Sequence, residues 1–303
     1  AGLVAVATLG AGAASAAPTG STGLIAPAPT SSGGTVIIGA DQEPDCLDWI
    51  SSCAGSSWGA WMALYTTLPQ PYRIVPGKGG AYVYKPSPLL ASAPTLQTEP
   101  EQVVTYKLNP KAVWNDGTPI TSADLQYTWQ QITTGQDIYD TTGYDKIKSV
   151  ETPDPQTAVV TYSEPFASWK AIFGGGYGIM PKHLLEGKDR DAEMKDGYKF
   201  SGGPWVIDSW EKGVSLSLVP NPSYWDKKPT VGKVIFKFIT DTTASFQAFK
   251  AGEVSVIYPQ PQPDALLQIK KGLAGSKVQA SSDTSNVEAL WMNNAKEIGR
   301  AHV

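Results

Sequence analysis

Between Val104 and Tyr258 the chain alternates strand-like and helix-like stretches, and most of them end at a turn residue of their own. Val104, Tyr106 and Leu108 alternate as a half-buried strand does. Trp114-Asn-Asp-Gly-Thr-Pro119 then reads as a turn, with Asp-Gly supplying a positive φ. Thr121-x-x-Asp124 is a capping signature that opens a helix carrying Leu125, Trp129 and Ile132 on one face. Two strands, Ile147–Glu151 and Thr157–Tyr162, flank a turn at Pro153-Asp-Pro155, and Pro181 starts a short helix closed by Gly187. Trp205–Trp210 and Val214–Val219 form a hairpin over Lys212-Gly213. Val234, Phe236 and Phe238 alternate in a strand, and Asp241 caps a helix with Phe246 and Phe249 that Gly252 stops. A strand, Val254–Tyr258, and a helix, Asp264–Lys271, follow. Hairpins mixed with strand–helix–strand connections exclude a bundle or a pure sandwich and imply an α/β or α+β layered fold.

Upstream, Thr35–Gly39 is a short β-branched strand. Trp58, Trp61, Met62 and Tyr65 fall at i, i+3, i+4 and i+7, one helical face expected to pack on the core. Pro69 to Pro100 is dominated by Pro and Gly and reads as turns with little periodicity.

A net charge of −4 gives no general attraction for nucleic acid or anionic lipid, so neither is an expected partner. Two cysteines and two histidines exclude a multi-ligand Cys/His metal site, and no cofactor is expected. Ten Trp and thirteen Tyr suit a protein that grips something. No Asp, Glu, Lys or Arg precedes Asp41, and Leu3–Ala17 is an apolar run ending in the small-x-small Ala14-Ser-Ala16. Residues 1–17 are therefore expected to be the remnant of a signal peptide, and 18–34 a flexible linker. Export to the periplasm or the cell envelope follows, and in that setting Cys46 and Cys53 are expected to form a disulfide. The last seven residues, Glu297–Val303, resemble a translated sequencing adapter and are expected to be a non-native tail.

Catalytic signals are thin. Gly55-Ser-Ser-Trp-Gly59 matches G-x-S-x-G, but a nucleophile elbow needs an apolar strand before the serine, and Asp48–Cys53 is polar. His183 is the one candidate base, and its place in Pro181-Lys-His-Leu-Leu favours packing at a helix start. Gly174-Gly-Gly176 lacks the spacing of a phosphate loop. No residue is assigned a catalytic role; the alternative reading is a secreted hydrolase of sugars or peptides using Ser57.

The run Tyr106-Lys-Leu-Asn-Pro-Lys-Ala-Val-Trp-Asn-Asp-Gly-Thr-Pro-Ile-Thr-Ser-Ala-Asp124 resembles the hallmark segment of the family 5 extracellular solute-binding proteins, the oligopeptide, dipeptide and nickel receptors of ABC importers. Gly202-Gly-Pro-Trp-Val-Ile207, Asn221-Pro-Ser-Tyr-Trp225 and Ala248-Phe-Lys-Ala-Gly-Glu-Val254 resemble further blocks of the family, in its order. Met180-Pro-Lys-His-Leu184 and Trp291-Met-Asn293 match smaller signatures.

The resemblance implies a two-lobed, periplasmic-binding-protein-like α/β fold of type II. Residues 35–68 plus 201–258 would form the first lobe, 69–200 a subdomain inserted in it, and 259–296 the start of a truncated second lobe. It further implies a monomeric receptor whose lobes close on a small solute and pass it to an ABC importer permease. An oligopeptide is the first choice of solute, with an oligosaccharide or a metal complex as alternatives. Carried over residue by residue, the solute contacts are Glu43, Asp45 and Trp49 after the first strand, Trp225 and Asp226, Tyr258 at the crossover, and Trp291 and Asn293 at the edge of the second lobe. Trp114, Asn115, Asp116 and Gly117 are read as a structural turn.

Overall fold

The computed structural model describes residues 3–7, 33–53, 60–77, 82–174, 178–258, 267–268, 271 and 276–280. In chain order the strands are β1 (Leu3–Ala7), β2 (Thr35–Ala40), β3 (Tyr72–Pro76), β4 (Tyr82–Pro86), β5 (Thr95–Gln97), β6 (Val103–Lys107), β7 (Ile147–Asp154), β8 (Thr157–Tyr162), β9 (Trp205–Glu211), β10 (Ser215–Pro220), β11 (Lys233–Phe238), β12 (Val256–Ile257) and β13 (Ser276–Ala280). They form a seven-stranded sheet in the order β13-β1-β12-β2-β11-β10-β9, a four-stranded sheet β5-β6-β8-β7, and the hairpin β3-β4.

In the large sheet β2 lies between β11 and β12 and runs parallel to both, while β9 and β10 continue it as an antiparallel hairpin. Successive residues of a strand face opposite sides, and the sheet uses both. Ile38 and Phe236 pack into the main core, whereas Ile37 packs against a second core built on Phe246, Phe249, Val254 and Ile257. The helix Thr242–Ala251 supplies that second core. Asp241 caps it by accepting from the Ala244 amide, and Gly252, at a φ of +76°, ends it. In the small sheet the helix Ser122–Thr134 packs on β7 and β8. Its capping box is complete: the Thr121 amide donates to Asp124 Oδ2 at 2.8 Å, and the Thr121 side chain accepts in return from the third helical residue. The main core is continuous from Val104 and Val160 in the small sheet to Leu216 and Leu218 in the large one.

Three features depart from the sequence reading. The stretch 69–100 holds β3, β4 and β5; its period-two signal is weak because Ile74 and Tyr84 in the hairpin are both exposed. Tyr65 lies 39% exposed, off the core face expected for it. A π-helical turn, Ala60–Leu64, precedes it, and its wider winding rotates position 65 away from the buried Met62, Ala63 and Leu64. β7 runs on to Asp154 through Pro153, which an edge strand tolerates because one side of it needs no N–H. Leu3–Ala7 forms a strand between β12 and β13.

The blocks that carry the family resemblance meet at one point. The amides of Gly202 and Gly203 and the hydroxyl of Ser201 all donate to the Thr67 carbonyl at 2.9 Å. Asn115 pairs with Ser201 twice, backbone to backbone and through its side-chain oxygen, each at 2.8 Å. The buried Asn221 donates from Nδ2 to the Gly203 carbonyl at 2.8 Å. Ser223 closes the ring by donating to the Asn115 carbonyl at 2.9 Å. Such an approach of backbone to backbone requires glycine: a Cβ on Gly203 would sit 2.2 Å from the Thr66 carbonyl oxygen.

Gly203→Ala is therefore expected to lower stability by about 3 kcal/mol, the upper end for overpacking. Gly213, at a φ of +75° with open space around it, is the control, and Gly213→Ala should cost only about 1 kcal/mol. Urea unfolding of the two variants side by side checks the order.

Candidate functional site

In an open sheet, ligands collect beyond the carboxyl ends of parallel strands, where loops converge. Here those ends belong to β2, β11 and β12. β2 runs out into the loop 41–53. Ile257 of β12 is in register with Gly39, so Tyr258 emerges beside Ala40 and Asp41. From β11, the Ile239 amide donates to the Ala40 carbonyl at 2.7 Å, which brings the third strand end to the same place.

The loop 41–53 is held from several directions. Cys46 and Cys53 form a disulfide with Cα atoms 5.8 Å apart. Ser51 donates through its amide and its hydroxyl to the Asp48 carbonyl, at 3.1 and 3.0 Å. The Leu47 amide donates to Lys195, and the Ile50 carbonyl accepts from the Tyr139 amide. At its centre is an ion pair: Arg190 Nε donates to Asp48 Oδ2 at 2.7 Å, with both side chains almost wholly out of solvent. Arg190 Nη2 also donates to the Gln136 carbonyl at 3.0 Å, so one guanidinium ties the loop to the segments around residues 136 and 190. Burial pushes the Asp48 carboxyl above its ordinary range, although Arg190 pulls it back. Leu47, Trp49 and Ile50 pack into the main core.

The residues expected to touch solute are thus distributed as follows. Asp45 is exposed at the strand ends, and Tyr258, half-buried, stands beside the same loop. Glu43 is engaged: Oε1 accepts from Trp210 Nε1 at 2.8 Å, and its two oxygens accept from the Gly213 amide at 3.0 and 2.9 Å. Its carboxylate anchors the β9–β10 hairpin turn. Trp49 is a core residue, 7% exposed. Trp225 and Asp226 follow β10, which runs antiparallel to β11, so they lie at the opposite end of the sheet from Tyr258. Trp291 and Asn293 lie outside the described residues, as do most of the helix expected over 264–271 and the motif 55–59.

Sequence reasoning missed the Asp48–Arg190 pair. The Asp189 cap of the short helix Arg190–Met194 was the available signal for Arg190's position; nothing local marks its partner 142 residues away. Among the described residues no cluster of His, Cys, Asp and Glu could hold a metal ion. His183 is bonded to Asp116 Oδ2 at 2.8 Å, joining the hallmark turn to the helix Lys182–Leu185. Burial pushes the Asp116 carboxyl up, but the Thr118 amide and His183 outweigh it and leave it below its usual range. The strand ends therefore present a rigid surface with an exposed carboxylate and a phenol ring, suited to holding a cationic or aromatic group.

Arg190→Met leaves a buried carboxylate without its cation, and a loss of about 3–5 kcal/mol is expected at neutral pH. The Asp48 pKa is raised in the folded state, so ionising it opposes folding as pH rises through that interval. Without Arg190 the interval extends further upward. The penalty should consequently shrink as pH falls from about 7 to about 5 and Asp48 takes up a proton. Urea unfolding at both pH values reads this out, and an equal penalty at both would show that no unpaired charge was left behind.

The family profile of the "Bacterial extracellular solute-binding proteins, family 5 Middle" matches residues 85–300. The oligopeptide-binding protein OppA of Mycobacterium tuberculosis H37Rv is 31% identical over 146 residues, covering 46% of this chain and 25% of its own. The probable D,D-dipeptide-binding periplasmic protein DdpA of Escherichia coli K12 is 28% identical over 268 residues, covering 86% of this chain and 49% of its own. The solved periplasmic EDTA-binding protein EppA superposes with a TM-score of 0.71 at 27% identity, over 80% of this chain and 46% of that one. The chain thus spans between a quarter and a half of the length of these relatives.

Proposed function

The chain belongs to family 5 of the bacterial extracellular solute-binding proteins, and from that premise we propose that the whole protein is an extracytoplasmic receptor that captures an oligopeptide and delivers it to an ABC importer. The observation that carries this reading is the convergence of three parallel strand ends on one disulfide-held loop, with Tyr258 beside it. That surface is one half of a clamp. Relatives named for binding oligopeptides and dipeptides support a peptide as the solute.

Capture then follows from population shift. A solute that touches both lobes binds the closed form better than the open one, and closure is the signal the permease reads. This chain contributes rigidity, since the elements around the strand ends are tied to one or the other of the two cores. Downstream of Tyr258 the sequence continues Pro259-Gln-Pro-Gln-Pro263, a stiff connector suited to a crossover between lobes. Asp45, exposed in the loop that follows β2, pairs with the amino terminus of the peptide; Tyr258 packs on its first residues.

The complete protein should gain about 2.7 kcal/mol of stability at a peptide concentration a hundred times Kd, seen as a thermal shift with short unmodified peptides. N-acetylated versions of the same peptides should bind about tenfold more weakly, and Asp45→Asn should abolish the difference between the two. Equal affinity for free and acetylated peptides would remove Asp45 from the site. Hydrolysis of the peptide would replace the receptor by an enzyme.

A further inference from the structure

Strands β3 and β4 pair only with each other. The foot of their hairpin is fixed to the body. Tyr72 is buried and meets Trp169 edge to face at 5.8 Å, and the Ser87 amide donates to the Pro71 carbonyl at 2.8 Å. Beyond the foot both faces are open. Opposed residues of an antiparallel pair share a face and successive residues alternate. Ile74 and Tyr84 therefore stand on one face, and Val75 and Val83 on the other. Ile74, Val83 and Tyr84 are each 39–40% exposed, so the hairpin shows apolar side chains on both sides. Tyr65, equally exposed, borders the cavity that Ile74 lines.

The charge here has one sign. Residues 49–98 contain Arg73, Lys78 and Lys85 and no Asp or Glu, in a chain whose net charge is −4. Lys78 lies outside the described residues, but Arg73 and Lys85 are exposed and directly opposed in the register. Like charges placed so oppose the pairing of their strands. Arg73 donates to the Tyr224 hydroxyl at 3.2 Å, and neither cation has a carboxylate partner among the described residues. Outward from the foot come the Arg73–Lys85 pair, then Ile74–Tyr84, then Val75–Val83. The hairpin is thus a cationic collar with an apolar blade beyond it. At about 3.3 Å per residue, the blade reaches about 10 Å past the collar by Pro76.

We infer that the β3–β4 hairpin is a membrane contact that enters the surface of a bilayer carrying anionic lipid. The collar meets the anionic headgroups, and the blade lies at the boundary of headgroups and acyl chains, where interfacial elements sit about 5–10 Å deep. Exposed apolar residues on both faces favour a bilayer, which surrounds a blade, over a protein groove, which covers one side of it. The net charge of −4 gives the chain as a whole no attraction for such a surface; this attraction is local and orients the molecule hairpin first. The contact stands independently of the solute reading, since it uses none of Asp45, Tyr258 or the loop 41–53.

The test uses the 303-residue chain at low salt with two kinds of vesicle, phosphatidylcholine alone and an equimolar mixture with phosphatidylglycerol. An NBD dye is placed on Val83→Cys, whose thiol is the one available because Cys46 and Cys53 are joined. With mixed vesicles its emission should brighten and move to the blue; with phosphatidylcholine alone it should not change. The same dye on Val214→Cys should stay silent with both. That position is exposed in the β9–β10 turn, at the far end of those strands from the cavity that β3 borders. Arg73→Gln combined with Lys85→Gln relieves a repulsion between exposed groups and leaves the hairpin intact. It should weaken binding to mixed vesicles about thirtyfold. The inference is overturned if the dye at position 83 responds to neither vesicle or to both alike, or if the double variant binds as tightly as the parent. A dye silent with vesicles but responsive to polyglutamate would also overturn it and assign the hairpin to an acidic protein.

Discussion

The Thr67 carbonyl is the point at which distant segments of this molecule are joined. Three donors from Ser201, Gly202 and Gly203 reach it. Through Asn115, Asn221 and Ser223 the same knot gathers segments more than a hundred residues apart in the chain. Its requirement is geometric: the backbone at 202–203 must come so close to 66–69 that no side chain fits between. The same contact fixes where the chain returns into the large sheet at Trp205, at the start of the β9–β10 hairpin. The hallmark turn Trp114–Gly117 is docked on the same knot through Asn115. Trp114 is fully buried and Asp116 is spent on His183.

A second constraint acts at the far end of the sheet. The loop after β2 has the composition of a binding loop, yet most of it faces inward. The buried Asp48–Arg190 pair, the disulfide and the backbone bonds to Lys195 and Tyr139 make it a wedge between the sheet and the segments around residues 139 and 190–195. Such stiffness favours binding at this loop. Ordering a loop on binding would cost conformational entropy, and a loop held in advance leaves more of the contact energy for the solute.

Local punctuation made most of the fold legible in advance. The capping box at Thr121–Asp124, the Asp241 and Gly252 ends of one helix and the Lys212-Gly213 hairpin turn are each decided by residues a few positions apart, and each lies where the pattern puts it. Structure set by distant partners was less readable. The β3–β4 hairpin is exposed on both residues of the Ile74–Tyr84 pair and lacks alternation. The π-helical turn shifts Tyr65 off the expected face with no sequence mark. The candidate site suffered most, because facing a cleft is a property of the assembled sheet. Glu43 and Asp45 are two residues apart and equally acidic, and only the hairpin turn of β9–β10, supplied some 170 residues later, decides that the first is consumed. Likewise Trp225 and Tyr258 are both aromatic and follow strands, but the antiparallel direction of β10 puts them at opposite ends.

The central claim is that this half is a rigid jaw whose partner closes over a peptide at the carboxyl ends of β2, β11 and β12. Small-angle scattering from the complete protein, with and without a saturating short peptide, measures that closure directly. The account predicts a smaller radius of gyration with peptide bound, and the peptide recovered intact afterwards. An unchanged radius at saturation would contradict it.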